Sequence, residues 1–248
     1  MRYVALGDSM AMDLYPALDA GEIDVAVALE RRVDAGAIAP LGAASLLARN
    51  DDVRWPEFTA CDLATFWPGT TAEILATDAA TIGDVFDAQL SALTEGDEEA
   101  IVTLTVGGND LLSAYASRPR RTLMERIVRD IGAAYDALLD AIDERLPRAR
   151  LVLTTVYDPS DASGHIPGIL EEVGPLPLVH LDTLNSHIRN RASTRDNAML
   201  ADVHAHFLGH GASAEPPQRW YWPRSLIEPS ALGASEIRRI WAEALDLS

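Results

Sequence analysis

The sequence has no lysine. All 20 of its basic residues are arginine, they face 38 aspartates and glutamates, and the formal charge is −18. A surface of that sign repels phosphate backbones and anionic lipid, which argues against a nucleic-acid or membrane-surface partner and leaves a neutral or cationic small molecule as the easier ligand to attract. There is one cysteine, Cys61. It excludes an internal disulfide and a cysteine-rich zinc site, and it reads as a small, partly buried hydrophobe. No apolar run approaches the roughly 20 residues that span a bilayer. The opening Met1-Arg2-Tyr3-Val4-Ala5-Leu6 reads as a core strand, not as a charged region leading into an apolar signal segment, so the chain is expected to be cytoplasmic. No motif calls for a metal or an organic cofactor, and the oligomeric state stays open.

What is present is a strong alternation of strand and helix patterns in a chain of 248 residues, 48% of them hydrophobic. Residues 2–6 read as a buried strand, and 71–76, 100–106, 150–156 and 197–203 as four further strands. Apolar residues at helical spacing fill 82–93 (Ile82, Val85, Phe86, Leu90, Leu93), 121–146 (Leu123, Ile127, Ile131, Tyr135, Leu138, Leu139, Ile142, Leu146), 178–192 and 234–246. Strand and helix repeated with short links predict a mostly parallel, five-stranded sheet with helices on both faces, a three-layer α/β/α domain over 1–248. One stretch, 19–70, exceeds what a crossover needs and is expected either to cover one sheet end or to elaborate the packing. In such sheets ligands bind beyond the carboxyl ends of the strands, so the segments after residues 6, 76, 106, 156 and 203 are the places to look for chemistry.

Gly7-Asp8-Ser9 directly follows the first strand. A serine on a tight strand-to-helix turn is exposed at the sheet edge near helix N–H groups that favour developing negative charge. The same residues also suit a plain helix cap. Gly107-Gly108-Asn109-Asp110 follows the third strand. There Asn109 can aim its amide at the same edge, as an oxyanion donor does, or simply form a left-handed turn. The two motifs at neighbouring strand ends together favour catalysis.

With these motifs the chain resembles the SGNH/GDSL-type serine hydrolases (lipases, acylhydrolases, esterases). Gly7-Asp8-Ser9 is similar to the first family block. Leu75-Ala76-Thr77-Asp78-Ala79-Ala80-Thr81-Ile82-Gly83-Asp84-Val85 resembles the second, LAxxGATxxDV, and Gly107-Gly108-Asn109-Asp110 matches the third. The resemblance implies a flavodoxin-like five-stranded sheet and ester hydrolysis. It makes Ser9 the nucleophile, and it places the oxyanion among the backbone amides of Ser9 and Ala79 and the side chain of Asn109. Two of the blocks depart from the pattern. Ala79 stands where the family has glycine. In the last block, where the family has Asp-x-x-His-Pro followed by a glycine, the chain has Ser225-Leu226-Ile227-Glu228-Pro229 and then Gly233, so Ser225 and Glu228 occupy the aspartate and histidine positions.

Glu228 is therefore the first candidate for the base, or else a structural carboxylate that fastens the Ser9 turn or caps the last helix. Unshifted, it is a weaker base than histidine, with a pKa near 4.3 against about 6.5. His204, His206 and His210 follow the fifth strand and could approach Ser9 from another side. A metal at His204, His206 and Asp202 has little support. Asp8, Gly108, Asp13, His206 and His210 are possible supporting residues. Asp158, before Pro159, suits a turn or a substrate contact. The aromatic run Arg219-Trp220-Tyr221-Trp222-Pro223-Arg224 suits a pocket wall or core packing. The expected activity is hydrolysis of a small acyl or acetyl ester by Ser9, Asn109 and Glu228. The alternative is a non-catalytic protein of the same fold that binds an ester or a carbohydrate.

Overall fold

Strand-forming runs become five strands: β1 (Arg2–Gly7), β2 (Thr71–Ile74), β3 (Ala100–Thr105), β4 (Ala149–Thr154) and β5 (Ala198–Ala201). The computed structural model describes residues 1–23 and 38–247, so part of the 19–70 stretch, residues 24–37, lies outside the described residues. The strands pair in the order β2-β1-β3-β4-β5, and all four pairings are parallel. The helices are α1 (Leu14–Asp19), α2 (Ala43–Ala48), α3 (Leu63–Phe66), α4 (82–92), α5 (Gly108–Ala116), α6 (Arg121–Arg145), α7 (Val179–Thr194), α8 (Val203–Phe207) and α9 (Ala231–Ala244). No described helix is long and apolar enough to cross a membrane.

Period-two alternation sorts the core into two layers. Val4, Leu6, Val102, Leu104, Leu151 and Leu153 face α4, α6 and α7. Tyr3, Ala5, Ile101, Val152 and Ala201 face α2, α3, α8 and α9. Helix α6 joins the first layer through Met124, Val128, Ile131, Tyr135, Leu138, Leu139 and Ile142, all buried on one stripe. Each such aliphatic side chain contributes about 1.5–3 kcal/mol by leaving water. The described part of 19–70 builds the second layer beside α9. Arg238 of α9 is fully buried there, donating to Asn50 Oδ1 at 2.7 Å and to Ser235 Oγ at 2.7 Å, with its guanidinium 3.4 Å from the Phe58 ring centre.

Two details differ from the apolar spacing. Leu123 and Phe86 are both 44% exposed. In α4 the cause is a π-helical turn at Val85–Gln89, whose extra residue rotates the stripe so that Phe86 faces water and Gln89 turns inward.

The strand order has one reversal, between β1 and β3. Successive crossovers leave from this point in opposite directions and open a crevice beyond the carboxyl ends. Gly7 closes β1 there at φ +129°. A Cβ on it would lie 1.9 Å from the Thr105 carbonyl oxygen of β3. Gly7→Ala is expected to lower stability by about 3 kcal/mol or more, combining backbone strain with a backbone clash. A urea midpoint unchanged from the parent would refute this.

Candidate active site

Gly7, Asp8 and Ser9 are held by backbone and amide contacts. The Asp8 N–H donates to Thr105 O at 2.9 Å. Gln89 clamps the Gly7 peptide from both sides, accepting from Gly7 N and donating to Gly7 O, each at 2.8 Å, and it also donates to Thr77 Oγ1. The Asp8 carboxylate accepts from Met10 N, closing an Asx turn. Ser9 is consequently on a turn and not at a helix start, because α1 begins only at Leu14. The Ser9 N–H has no protein acceptor among the described residues.

The loop after β2 carries Ala79 at φ +56°, a left-handed conformation that glycine adopts without strain. Its N–H likewise has no protein acceptor among the described residues. Three contacts hold the loop in place. Asn109 Nδ2 donates to Ala80 O at 3.0 Å, the Asp110 carboxylate accepts from Ile82 N at 3.1 Å, and Thr81 and Asp84 form a reciprocal capping box at the start of α4. Asn109 therefore uses one N–H on the loop and has its second available for the crevice.

Glu228 arrives from the far end of the chain on a short closed loop. Trp222 N donates to Glu228 O, Glu228 N donates to Ser225 O, and Tyr221 bridges Pro229. Tyr157 Oη donates to Ile227 O at 2.6 Å. Ser230, not Glu228, caps α9, and Gly233 is required because a Cβ there would meet Trp220 O at 2.0 Å. The Glu228 side chain is 7% exposed, and its Oε2 accepts no hydrogen bond. Burial pushes its pKa up to about 7, with the nearby Ser9 side chain opposing the rise and Asp78 and Asp8 adding to it. Burial also pushes Asp8 up to about 7, opposed by the Met10 and Thr105 hydrogen bonds.

Ser9, Asp8, Gly108, Asn109 and Glu228 line one cavity of about 80 Å³, whose apolar wall includes Leu111, Leu112, Tyr115, Val156, Ile166 and Leu176. Asp158 also lines it, but its carboxylate is spent on Ser160 and Ala162 in the turn. The remaining candidates stand elsewhere. Asp13 accepts from Gly42 N and Ser45 Oγ and ties α1 to α2. His206 pairs with Glu236 at 2.8 Å, and His210 stacks on Trp220 at 3.5 Å while its Nδ1 meets Gln218 O. Neither histidine, nor His204, lines the cavity. The expectation that one of them reaches Ser9 is not met, and His206 and His210 are engaged with Glu236, Trp220 and Gln218 instead. Tyr221 packs into the core against Tyr157 and Phe207, whereas Trp222 lies outward against Tyr15. Gln89 was not expected. Its only signal is a polar residue four positions after Val85 on the buried stripe of α4.

No family model matches the sequence, and no curated protein is similar to it at the sequence level. Solved structures are similar over nearly the whole chain. An extracellular lipase from Streptomyces rimosus superposes with a TM-score of 0.61 at 22% identity, covering 98% of this chain and 99% of that one. A phospholipase A1 from Streptomyces albidoflavus gives 0.59 at 20%, covering 98% of each. An acetylxylan esterase from Geobacillus stearothermophilus gives 0.61 at 15%, covering 98% and 93%. The fold is thus that of the SGNH-type hydrolases, a three-layer α/β/α sandwich on a 2-1-3-4-5 parallel sheet.

Two outcomes follow from the strain and charge in this site. Ala79→Gly removes a left-handed alanine worth about 1–2 kcal/mol and adds unfolded-chain entropy worth about 0.4–1. The expected net is a gain of up to about 1 kcal/mol in a urea titration, and a loss would show that the alanine is unstrained. Asp8 and Glu228 bind their protons more tightly folded than unfolded, so the stability they confer is complete below about pH 4 and is lost as pH rises through about 7. Glu228→Gln should flatten that decline, leaving the variant more stable than the parent at pH 8 by on the order of 1–2 kcal/mol. Parallel pH–stability curves would refute the assignment.

Proposed function

We propose that the protein is a serine ester hydrolase acting on a small acyl ester, with Ser9 as nucleophile and Glu228 as general base. One observation carries this reading. The Glu228 carboxyl is only 7% exposed and lines the same cavity as Ser9 and Asn109, where burial pushes its pKa up to about 7. A carboxylate raised to that value has the proton affinity of an ordinary histidine and is matched to neutral pH. The lipases and esterases that share the fold support the same class of reaction.

In this reading the Ser9 Oγ–H proton passes to Glu228 as Oγ bonds the ester carbonyl carbon. The carbonyl π pair moves to oxygen, where the Ser9 and Ala79 amides and the Asn109 side chain receive it. Collapse breaks the bond to the alcohol oxygen, and protonated Glu228 returns its proton to the departing alkoxide. Water then repeats the sequence on the acyl-serine. The apolar wall of the cavity, with Leu111, Leu112, Val156, Ile166 and Leu176, suits the acyl group.

The test is hydrolysis of p-nitrophenyl acetate by the parent and by Ser9→Ala, with Glu228→Gln as the third protein. Ser9→Ala should fall to background, and Glu228→Gln should lose about 10²–10⁴ in rate. The parent's kcat/KM should decline as pH drops below about 7, the value to which Glu228 is raised. Equal, near-background rates in parent and Ser9→Ala would overturn the enzyme reading in favour of a ligand-binding protein.

A further inference from the structure

Resting on the esterase reading of this cleft, the surroundings of Glu228 define the alcohol half of the substrate. In that chemistry Glu228 must hand its proton to the departing alkoxide, so the alcohol lies on the Glu228 side of Ser9 while the acyl group fills the apolar cavity. The Glu228 side is acidic and aromatic. Asp78 is exposed there, and it acts on Glu228 together with Asp8. Tyr15 donates its hydroxyl to Asp78 Oδ1 at 2.9 Å and lies within electrostatic reach of both Asp78 and Glu228. Its half-buried ring stands 5.7 Å from that of Trp222, tilted by 45°. Tyr157 is buried within electrostatic reach of Glu228. None of the described residues lining the cavity is basic.

The second observation is Glu228 Oε2 itself, an acceptor on a side chain only 7% exposed, with no hydrogen-bond partner among the described residues. Such an atom is costly unless a bound group answers it. Angled aromatic faces beside carboxylates are a setting that attracts ammonium groups. We infer that the site selects esters whose alcohol carries a positively charged ammonium group, held against Tyr15 and Trp222 beside Asp78 and Glu228. One Glu228 oxygen takes the Ser9 proton while Oε2 faces the cation. The cation has a second effect, because it favours ionised Glu228, so the substrate brings its own base into the active form.

The test compares two acetate esters on the parent protein: that of choline, and its uncharged isostere with a tert-butyl group in place of trimethylammonium. At low ionic strength the cationic ester should have a kcat/KM at least about tenfold higher, a ratio that shrinks with added salt and falls toward one in Asp78→Asn and in Trp222→Leu. For the cationic ester the pH inflection of kcat, which reports the bound complex, should lie below that of kcat/KM, while for the isostere the two should coincide. A ratio of one or less in the parent, or one undiminished in both variants, overturns the proposal. Calorimetry of Ser9→Ala with choline separates this proposal from the esterase reading. If neither ester is cleaved, saturable choline binding that weakens in Asp78→Asn upholds the cation site alone, and absence of binding overturns it.

Discussion

The contact of Gly7 with Thr105 is the constraint from which the site is built. Parallel pairing of β1 with β3 brings the two chain reversals of the sheet side by side, and the absence of a Cβ at Gly7 lets one backbone touch the next. The spacing between the Ser9 turn and the Asn109 turn is then set by main-chain geometry, the least adjustable part of a protein. Gln89 adds a lock on the same peptide from a third element. Glu228, by contrast, is delivered by a loop whose own hydrogen bonds fix it and whose link to the crevice runs through Tyr157. Ser9 is thus positioned by the sheet, and the Glu228 carboxylate by the packing around it.

The two buried carboxyls oppose folding at neutral pH, and a left-handed alanine adds strain in the loop beside them. The core offsets these costs with two apolar layers and a 25-residue amphipathic helix. A protein selected for stability alone would relieve all three features by substitutions that leave the fold untouched. Their presence around one serine is what marks this crevice out from the rest of the sheet edge.

The five strands, the long helices and the carboxyl-end location of the crevice were legible in the sequence because period-two and period-3.6 patterns are strong in buried α/β elements. The Pro229–Gly233 spacing likewise pointed to Glu228, and the structure shows why that glycine is needed: the chain of Trp220 passes directly against it. Other features were not legible. A single extra residue in a π turn moved Phe86 outward and Gln89 inward, which no fixed period anticipates. The turn at Asp8 delays α1 by several residues, since an Asx turn competes locally with helix. The histidines sit near the correct sheet end in sequence, yet Glu236 and Trp220 draw them away. The raised proton affinity of Glu228 is a property of burial, invisible until the chain around it is folded.

Arg238 shows how the two ends of the chain are joined. Its buried guanidinium fastens α9 to Asn50 and Phe58, so the segment just beyond the first strand lacks its partner until the last helix is in place. Glu228 follows Ser9 by 219 positions in the sequence. During synthesis the serine turn is therefore made well before its carboxylate, and a nascent chain that stops short of Glu228 carries the serine without the group that faces it.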